Sequence, residues 1–196
     1  MDNTIKILEK PDWVSWDRIH EVVWAAHEKN REHGIDMAHS SMNGDEIKKM
    51  LEPNGKMLVA VQDDKVVGTA AIKEKEASFW FGQDRFAYFC FAAVLPEYNG
   101  KGIYQQLCEQ RESIARSMGI DKLMFNTHSD NQHVIQIAKR SGYKEVKYSC
   151  GKDNAWVFMV KWLDGCPYSD GQCEKQYHRQ KRNAQLKQTI KRVFKR

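Results

Sequence analysis

Residues 95–107 read LPEYNGKGIYQQL, and two of the chain's 12 glycines, Gly100 and Gly102, stand two positions apart within them. Asn99 precedes the pair, Lys101 separates it, and Ile103 and Tyr104 open a helical pattern directly after it. Glycine accepts a left-handed backbone and lets the main chain approach a ligand closely. The first amides of a helix lack internal acceptors, and the macrodipole is positive at that end. Together with the Lys101 ammonium these groups form an anion cradle suited to a pyrophosphate; the other reading of the pair is a tight turn with no ligand. The spacing is not the triphosphate loop GxxxxGK followed by Ser or Thr. Nor is it the dinucleotide GxGxxG, because Gln105 occupies the third glycine position.

The elements around this loop must place it at the end of a strand. Residues 85–94, RFAYFCFAAV, are apolar enough for a strand buried on both faces. From Gly102 the residues Ile103, Leu107, Ile114, Ala115 and Met118 fall at helical spacing as far as Gly119, and the strand DKLMFNT follows. Strand, glycine loop, helix and strand make a βαβ unit. Upstream, Ser15 caps a helix carrying Trp16, Ile19, Val22, Val23 and Ala26; a polar loop and a short helix over 45–51 come next. KMLVAVQDDKVVGTAAIKE reads as a hairpin turned at Asp63 and Asp64, and a second strand pair, 77–81 and 85–94, flanks GQD. Downstream, Asn131 stands at the cap of a helix with Val134, Ile135, Ile137 and Ala138, stopped by Gly142. The strands YKEVKYS and AWVFMVKWL then surround the turn GKDN.

With 196 residues, 41% hydrophobic and 29% charged, the chain is expected to form one globular domain, 1–173, and a tail, 174–196. It has no apolar run of the roughly 20 residues a membrane span needs, and its opening lacks a secretion signal, so a cytoplasmic location is expected. The five cysteines are scattered without a CxxC pair, which argues against a disulfide framework and a zinc site; no metal is expected. The net charge of +5 is uneven. Residues 174–196 carry nine Lys or Arg against one Glu, a local +8, which leaves −3 on the body. Leu186, Ile190, Val193 and Phe194 fall at i, i+4, i+7 and i+8 of that tail, a basic amphipathic helix suited to an anionic membrane surface. Its apolar stripe suits packing on the body or on a sister subunit of a homodimer equally well. Nucleic acid is disfavoured as a partner, because the body is net acidic and has no reading helix.

The segments VLPEY, NGKGIY and NQHVIQIAKRSGY, in this order and spacing, resemble the signature of the GCN5-related N-acetyltransferases (GNAT): an apolar strand, a V-x-P turn, a Q/R-x-x-G-x-G/A loop, and a later Asn-capped helix ending in Gly-Phe or Gly-Tyr. The resemblance covers residues 57–161. It implies an α/β fold with a mixed, mostly antiparallel central sheet flanked by helices, and acetyl-CoA as co-substrate. By the same resemblance, backbone groups of Ala92 and Val94 pair with the pantetheine arm. Amides of Asn99, Gly100, Lys101, Gly102, Ile103 and Tyr104 hold the diphosphate, and Asn131 contacts the pantetheine, the other role for Asn131 being a plain helix cap. Asn99 stands where the family prefers Gln or Arg, and Tyr104 where it prefers Gly or Ala. Ala138 stands where many members carry the tyrosine that protonates the departing thiolate.

Acetyl transfer from a thioester to an amine needs a neutral amine, a polarised carbonyl and a proton for the sulfur, and proximity in a ternary complex supplies much of the rate. The resemblance points to Tyr88, four residues before Ala92 on the same face by strand alternation, where some relatives carry a glutamate base. A core aromatic is the other reading of Tyr88, and Cys90 shares its face. It also points to His128, with Asp130, as loop residues just past DKLMFNT. His27 and Glu28, with His33, occupy the region that shapes the acceptor pocket in the family; a solvated helix face accounts for them as well. The expected reaction is direct transfer to a primary amine of a small molecule or peptide, amino sugars included. A non-catalytic acyl-CoA-binding or regulatory module is the alternative that Ala138 suggests.

Overall fold

The computed structural model describes residues 4–35, 41–151 and 155–193, and they form two compact units. Residues 1–75 and 87–120 make the first, residues 76–86 and 121–196 the second. No helix among the described residues is long and apolar enough to cross a membrane.

In the first unit Asp63 and Asp64, with φ of 48° and 58°, turn the chain between β2 (Gly55–Gln62) and β3 (Lys65–Phe79). Two successive left-handed residues match the right-handed twist of the flanking strands. With β1 (Lys6–Glu9) and β4 (Gly82–Val94) the strand order is β1-β2-β3-β4, and β1 pairs antiparallel to β2 from Lys6 opposite Val61 to Glu9 opposite Leu58. Residues 86–91 of β4 are all buried, as a strand covered on both faces requires.

Helix α1 (Trp16–Ala26) starts at Ser15, whose hydroxyl accepts from Arg18 N at 3.1 Å, and buries Ile19, Val22 and Val23. A short α2 (Glu28–Glu32) follows it. Helix α3 (Gly44–Leu51) is held at both ends. Asn43 and Glu46 exchange hydrogen bonds of 2.9 and 3.0 Å at its start. The Lys73 ammonium donates to Met50 O at 2.8 Å and Glu52 O at 2.9 Å at its negative end. Helix α4 (Ile103–Ser117) packs Ile103 and Leu107 against Leu58, Ala60, Val67 and Ala70 of β2 and β3.

The second unit is built on β5 (Lys122–His128), β6 (Lys144–Cys150) and β7 (Ala155–Trp162), antiparallel in the order β5-β7-β6. Helices α5 (Gln132–Arg140) and α6 (Asp170–Val193) complete it, the latter lying along β6. The tip of the β3–β4 hairpin supplies an aromatic cluster, in which Phe81 meets Trp162 at 5.5 Å and Tyr168 at 5.7 Å.

Four placements differ from the sequence reading. GQD, read as the link between 77–81 and 85–94, lies within β4, and the chain turns at Trp80 and Phe81. The second arm of KMLVAVQDDKVVGTAAIKE and the strand read over 77–81 are one strand of 15 residues, because Lys75 and Glu76 continue it with exposed side chains instead of breaking it. His128 is the last residue of β5 and only 7% exposed, not a surface-loop residue; its pairing with Trp156 carries the strand one position further. The stretch after α1 holds the extra turn α2, with Asn30 Nδ2 and His27 Nδ1 3.1 Å apart across it. The side chains of Ile190 and Val193, all of Phe194, and residues 152–154 of the GKDN turn lie outside the described residues.

Gly44 sets the approach of α3 to α1. A Cβ there would stand 2.7 Å from Trp16 C and 2.8 Å from Asp17 N, both backbone atoms that cannot swing aside. The substitution Gly44→Ala is therefore expected to destabilise the chain by about 1–3 kcal/mol through overpacking, read as a lower urea midpoint at an unchanged slope.

Candidate functional site: a glycine loop at the end of a strained strand

The loop begins where β4 stops pairing. Leu95 N donates to Val67 O at 2.9 Å, a single 3-10 turn over Pro96–Tyr98 follows, and Asn99 N donates back to Pro96 O at 3.1 Å. Gly100 (φ 78°) and Gly102 (φ 73°, ψ 8°) are both left-handed, and Gly102 is the N-cap of α4 with no side chain capping it. Nothing lies within 4 Å of a Cβ built on either glycine, so both faces of the turn are open to an approaching group. Asn99, Gly100, Lys101, Gly102 and Tyr104 are exposed, while Ile103 is buried as the anchor.

Cations gather at this turn. Lys101 Nζ lies 4.4 Å and Lys65 Nζ 5.6 Å from the Tyr98 ring, and Lys65 is also 3.7 Å from Glu97 Oε1. Beneath the loop, a Cβ on Gly68 would meet Ala93 O at 3.1 Å and Ile103 Cγ2 at 3.2 Å, so β3 presses directly on the strand end and on the first residue of α4. Lys65, Gly68 and Tyr98 did not stand out in the sequence; only Lys65 carried a signal, as a cation at the hairpin that antiparallel pairing returns to the strand end. A cavity of about 360 Å³ in this unit shares Lys65 with the turn and is otherwise lined by Trp13, Val14, Ser15, Arg18, Asp63, Asp64 and Val66.

Within β4, Phe91 has φ 51°, a left-handed conformation that is strained for an aromatic residue and is the signature of a bulge. The buried Thr69 hydroxyl donates to Phe91 O at 2.9 Å and supports it. This kink interrupts the alternation on which the shared face of Tyr88 and Ala92 was expected to rest, so the regular two-residue register does not run from one to the other. Tyr88 is buried, with Lys75 Nζ 4.7 Å from its ring; burial, then neighbouring Cys90, pushes its hydroxyl well above the usual tyrosine range. Burial pushes the Cys90 thiol up to about 12, opposed by Arg111, Lys73 and Lys75. Arg111 of α4 is 2% exposed: its Cζ lies 4.2 Å from the Phe89 ring, and its Nη2 donates to Cys108 Sγ at 3.2 Å. Tyr104, though 43% exposed, lies near the same Cys108 and Arg111, and burial followed by Cys108 raises its hydroxyl. His27 closes α1 and Glu28 opens α2 in this unit.

In the second unit, Asp130 N donates to His128 Nδ1 at 3.3 Å, which leaves the proton of the neutral ring on Nε2. The ring packs edge-on against Trp156 at 5.9 Å. Asn131 occupies the cap position of α5 without capping it; the buried amide donates from Nδ2 to Thr127 Oγ1 at 3.2 Å. Ala138 is buried. Tyr148, which the sequence did not single out, lies near Ser129 beside this group, and burial raises its hydroxyl.

The profile of the Acetyltransferase (GNAT) family matches residues 16–143, more than half of the chain and all of the glycine loop. The chain belongs to the GNAT family. It is accordingly an N-acetyltransferase. No curated protein matches it. Among solved structures it is similar to the PaiA N-acetyltransferase of Thermoplasma acidophilum in complex with coenzyme A, at 16% identity over 81% of this chain and 99% of that one, TM-score 0.60. It is also similar to the ribosomal-protein-S18-alanine N-acetyltransferase of Escherichia coli (13%, 85% and 98%, 0.62) and to an aminoglycoside 6'-acetyltransferase type Ii (18%, 84% and 99%, 0.62). At these identities the likeness is one of fold.

Two outcomes follow from the strained strand of this GNAT chain. Replacing Thr69 by Val removes the donor to Phe91 O and is expected to cost about 1 kcal/mol of stability, with a fall in kcat larger than the change in KM. Between pH 9, where an ordinary thiol ionises, and about 12, only the unfolded chain releases the Cys90 proton, so this contribution to stability is whole below pH 9 and fades as pH rises. Chemical denaturation across that range should show an alkaline loss that Cys90→Ala reduces.

Proposed function

We propose that the chain transfers the acetyl group of acetyl-CoA to a primary amine by direct attack in a ternary complex. The observation that carries this reading is the open, uncapped turn at Gly100 and Gly102 with Lys101 beside it. Amides of Asn99 to Tyr104 hold the diphosphate of the co-substrate, and Lys101 adds charge. Backbone groups of Ala92 and Val94, next to the Phe91 kink, pair with the pantetheine arm as an added strand would. Asn131, which is not spent on capping α5, contacts the same arm.

In the transfer, the neutral amine nitrogen attacks the acetyl carbonyl carbon and the carbon–sulfur bond breaks. The nitrogen sheds one proton to solvent as it becomes an amide, and the departing thiolate takes one up to leave as a thiol. Tyr88 serves as a hydrogen-bond donor toward the sulfur: burial holds its proton tightly, which suits an O–H that polarises and not a group that ionises. His128 carries its proton on Nε2 and acts as a hydrogen-bond donor, since its Nδ1 lone pair is engaged. His27 and Glu28 shape the acceptor side.

The acceptor is a primary amine of a small molecule or peptide, amino sugars among them. Residues 1–173 form the catalytic domain, 174–196 the tail, and the protein works in the cytoplasm.

Calorimetry with CoA, together with free-thiol release from acetyl-CoA over a panel of amino sugars, polyamines, amino acids and peptides, tests the proposal. Lys101→Gln leaves the backbone alone and is expected to weaken CoA binding about tenfold. Gly102→Val adds left-handed strain of about 1–2 kcal/mol and should weaken it more. Absence of any heat with CoA would overturn the reading; binding without thiol release on any amine would favour an acyl-CoA-binding module.

A further inference from the structure

The α6 helix presents two different faces. It runs 24 residues, about 36 Å at 1.5 Å per residue. Cys173 and Tyr177 are buried and Gln180 and Lys181 half-buried, a row at helical spacing. Tyr177 packs edge-on against Tyr148 at 6.2 Å, Gln180 Oε1 accepts from Tyr148 N at 3.4 Å, and Lys144 pairs with Asp170 at 2.6 Å. This row fastens the helix to its own unit.

Lys175, Arg179, Arg182 and Leu186 form a second row at i, i+4, i+7 and i+11, and all four are exposed, Leu186 by 61%. Leu186 follows Tyr177 by nine residues, half a revolution of the helix away from the docked side. The apolar stripe that begins at Leu186 is therefore not what holds the helix down. The sequence extends that row with Ile190 and Val193, among Lys187, Lys191 and Arg192, and Glu174 is the one acid in 174–196.

A face that mixes alkyl groups with a dense row of cations fits the boundary between anionic headgroups and acyl chains. A second copy of the tail would set +8 against +8. A nucleic-acid backbone would engage the cations and leave Leu186 in water. We infer that the outer face of α6 docks this chain on an anionic phospholipid surface, with the helix parallel to the bilayer and Leu186 at the acyl boundary. This inference does not depend on the acetyl-transfer reading.

Co-sedimentation of the full chain with mixed phosphatidylglycerol and phosphatidylcholine vesicles, against pure phosphatidylcholine, is the test. Partitioning should favour the anionic vesicles and fall as salt rises. The triple variant Lys175→Gln, Arg179→Gln, Arg182→Gln should bind on the order of 100-fold more weakly. Leu186→Asp, which alters one exposed residue, should bind about tenfold more weakly. Unchanged melting temperatures would show that these variants remain folded. Equal partitioning to both vesicle types, undiminished binding by Leu186→Asp, or tighter binding to a short RNA duplex than to the anionic vesicles in the same buffer would each overturn the inference.

Discussion

The site depends on bringing the amino end of α4 to the carboxyl end of β4, and that is a steric condition before it is an electrostatic one. A chain leaving a strand and entering a helix within eight residues must use backbone conformations closed to most side chains, and Gly100 and Gly102 supply two of them. The orphan amides that result attract anions only if they are held still. Ile103 and Leu107, both at 1% exposure or less, fix the first turn of α4 on β2 and β3. Gly68 then lets β3 come close enough to close the floor. Hydrophobic burial positions the charge; the charge contributes little to the fold.

The strand that leads into the loop carries its own distortion. Phe91 is left-handed in the middle of a buried run, and such conformations persist only where neighbours over-determine them. Thr69 does so from β3 with a hydroxyl instead of a backbone group. On α4, Arg111 is buried with its guanidinium against Phe89 and Cys108, so helix and strand are joined by polar contacts inside an apolar layer. The kink, the loop and the helix are thus one mechanical piece, and all of it belongs to the first unit.

What was legible in the sequence followed from local rules. The Asp63–Asp64 hairpin, the buried β4, the glycine turn and α4 each rest on a periodicity or a turn preference confined to a dozen residues. What was not legible came from contacts distant in sequence. Lys75 and Glu76 fell between two strand runs because adjacent charges weaken a strand pattern, yet the exposed part of a long hairpin tolerates them. Nothing near Phe91 announces a left-handed residue, since the hydroxyl that supports it lies 22 positions away. Asn131 has the residue type and the place of a cap, and only the proximity of Thr127 diverts it. His128 looked exposed because the end of β5 is set by pairing with β7, which no residue in DKLMFNT records. Arg111 drew no notice in the sequence, and its burial appears only once β3 and β4 lie beneath α4.

The chemistry narrows by the same reasoning. A methyl group at Ala138 donates no proton, and its burial in the second unit leaves no hydroxyl there to replace. His128 presents N–H, which can polarise but not accept. Cys90 and Tyr88 are both held protonated well above neutral pH by burial, which at Cys90 outweighs the cations Arg111, Lys73 and Lys75. Of the two, the tyrosine has the stronger hydrogen-bond donor. Neither of these two groups offers a base at neutral pH. Proximity supplies much of the rate in acyl transfer of this kind, and the two glycines, the kinked strand and the buried arginine all act on geometry.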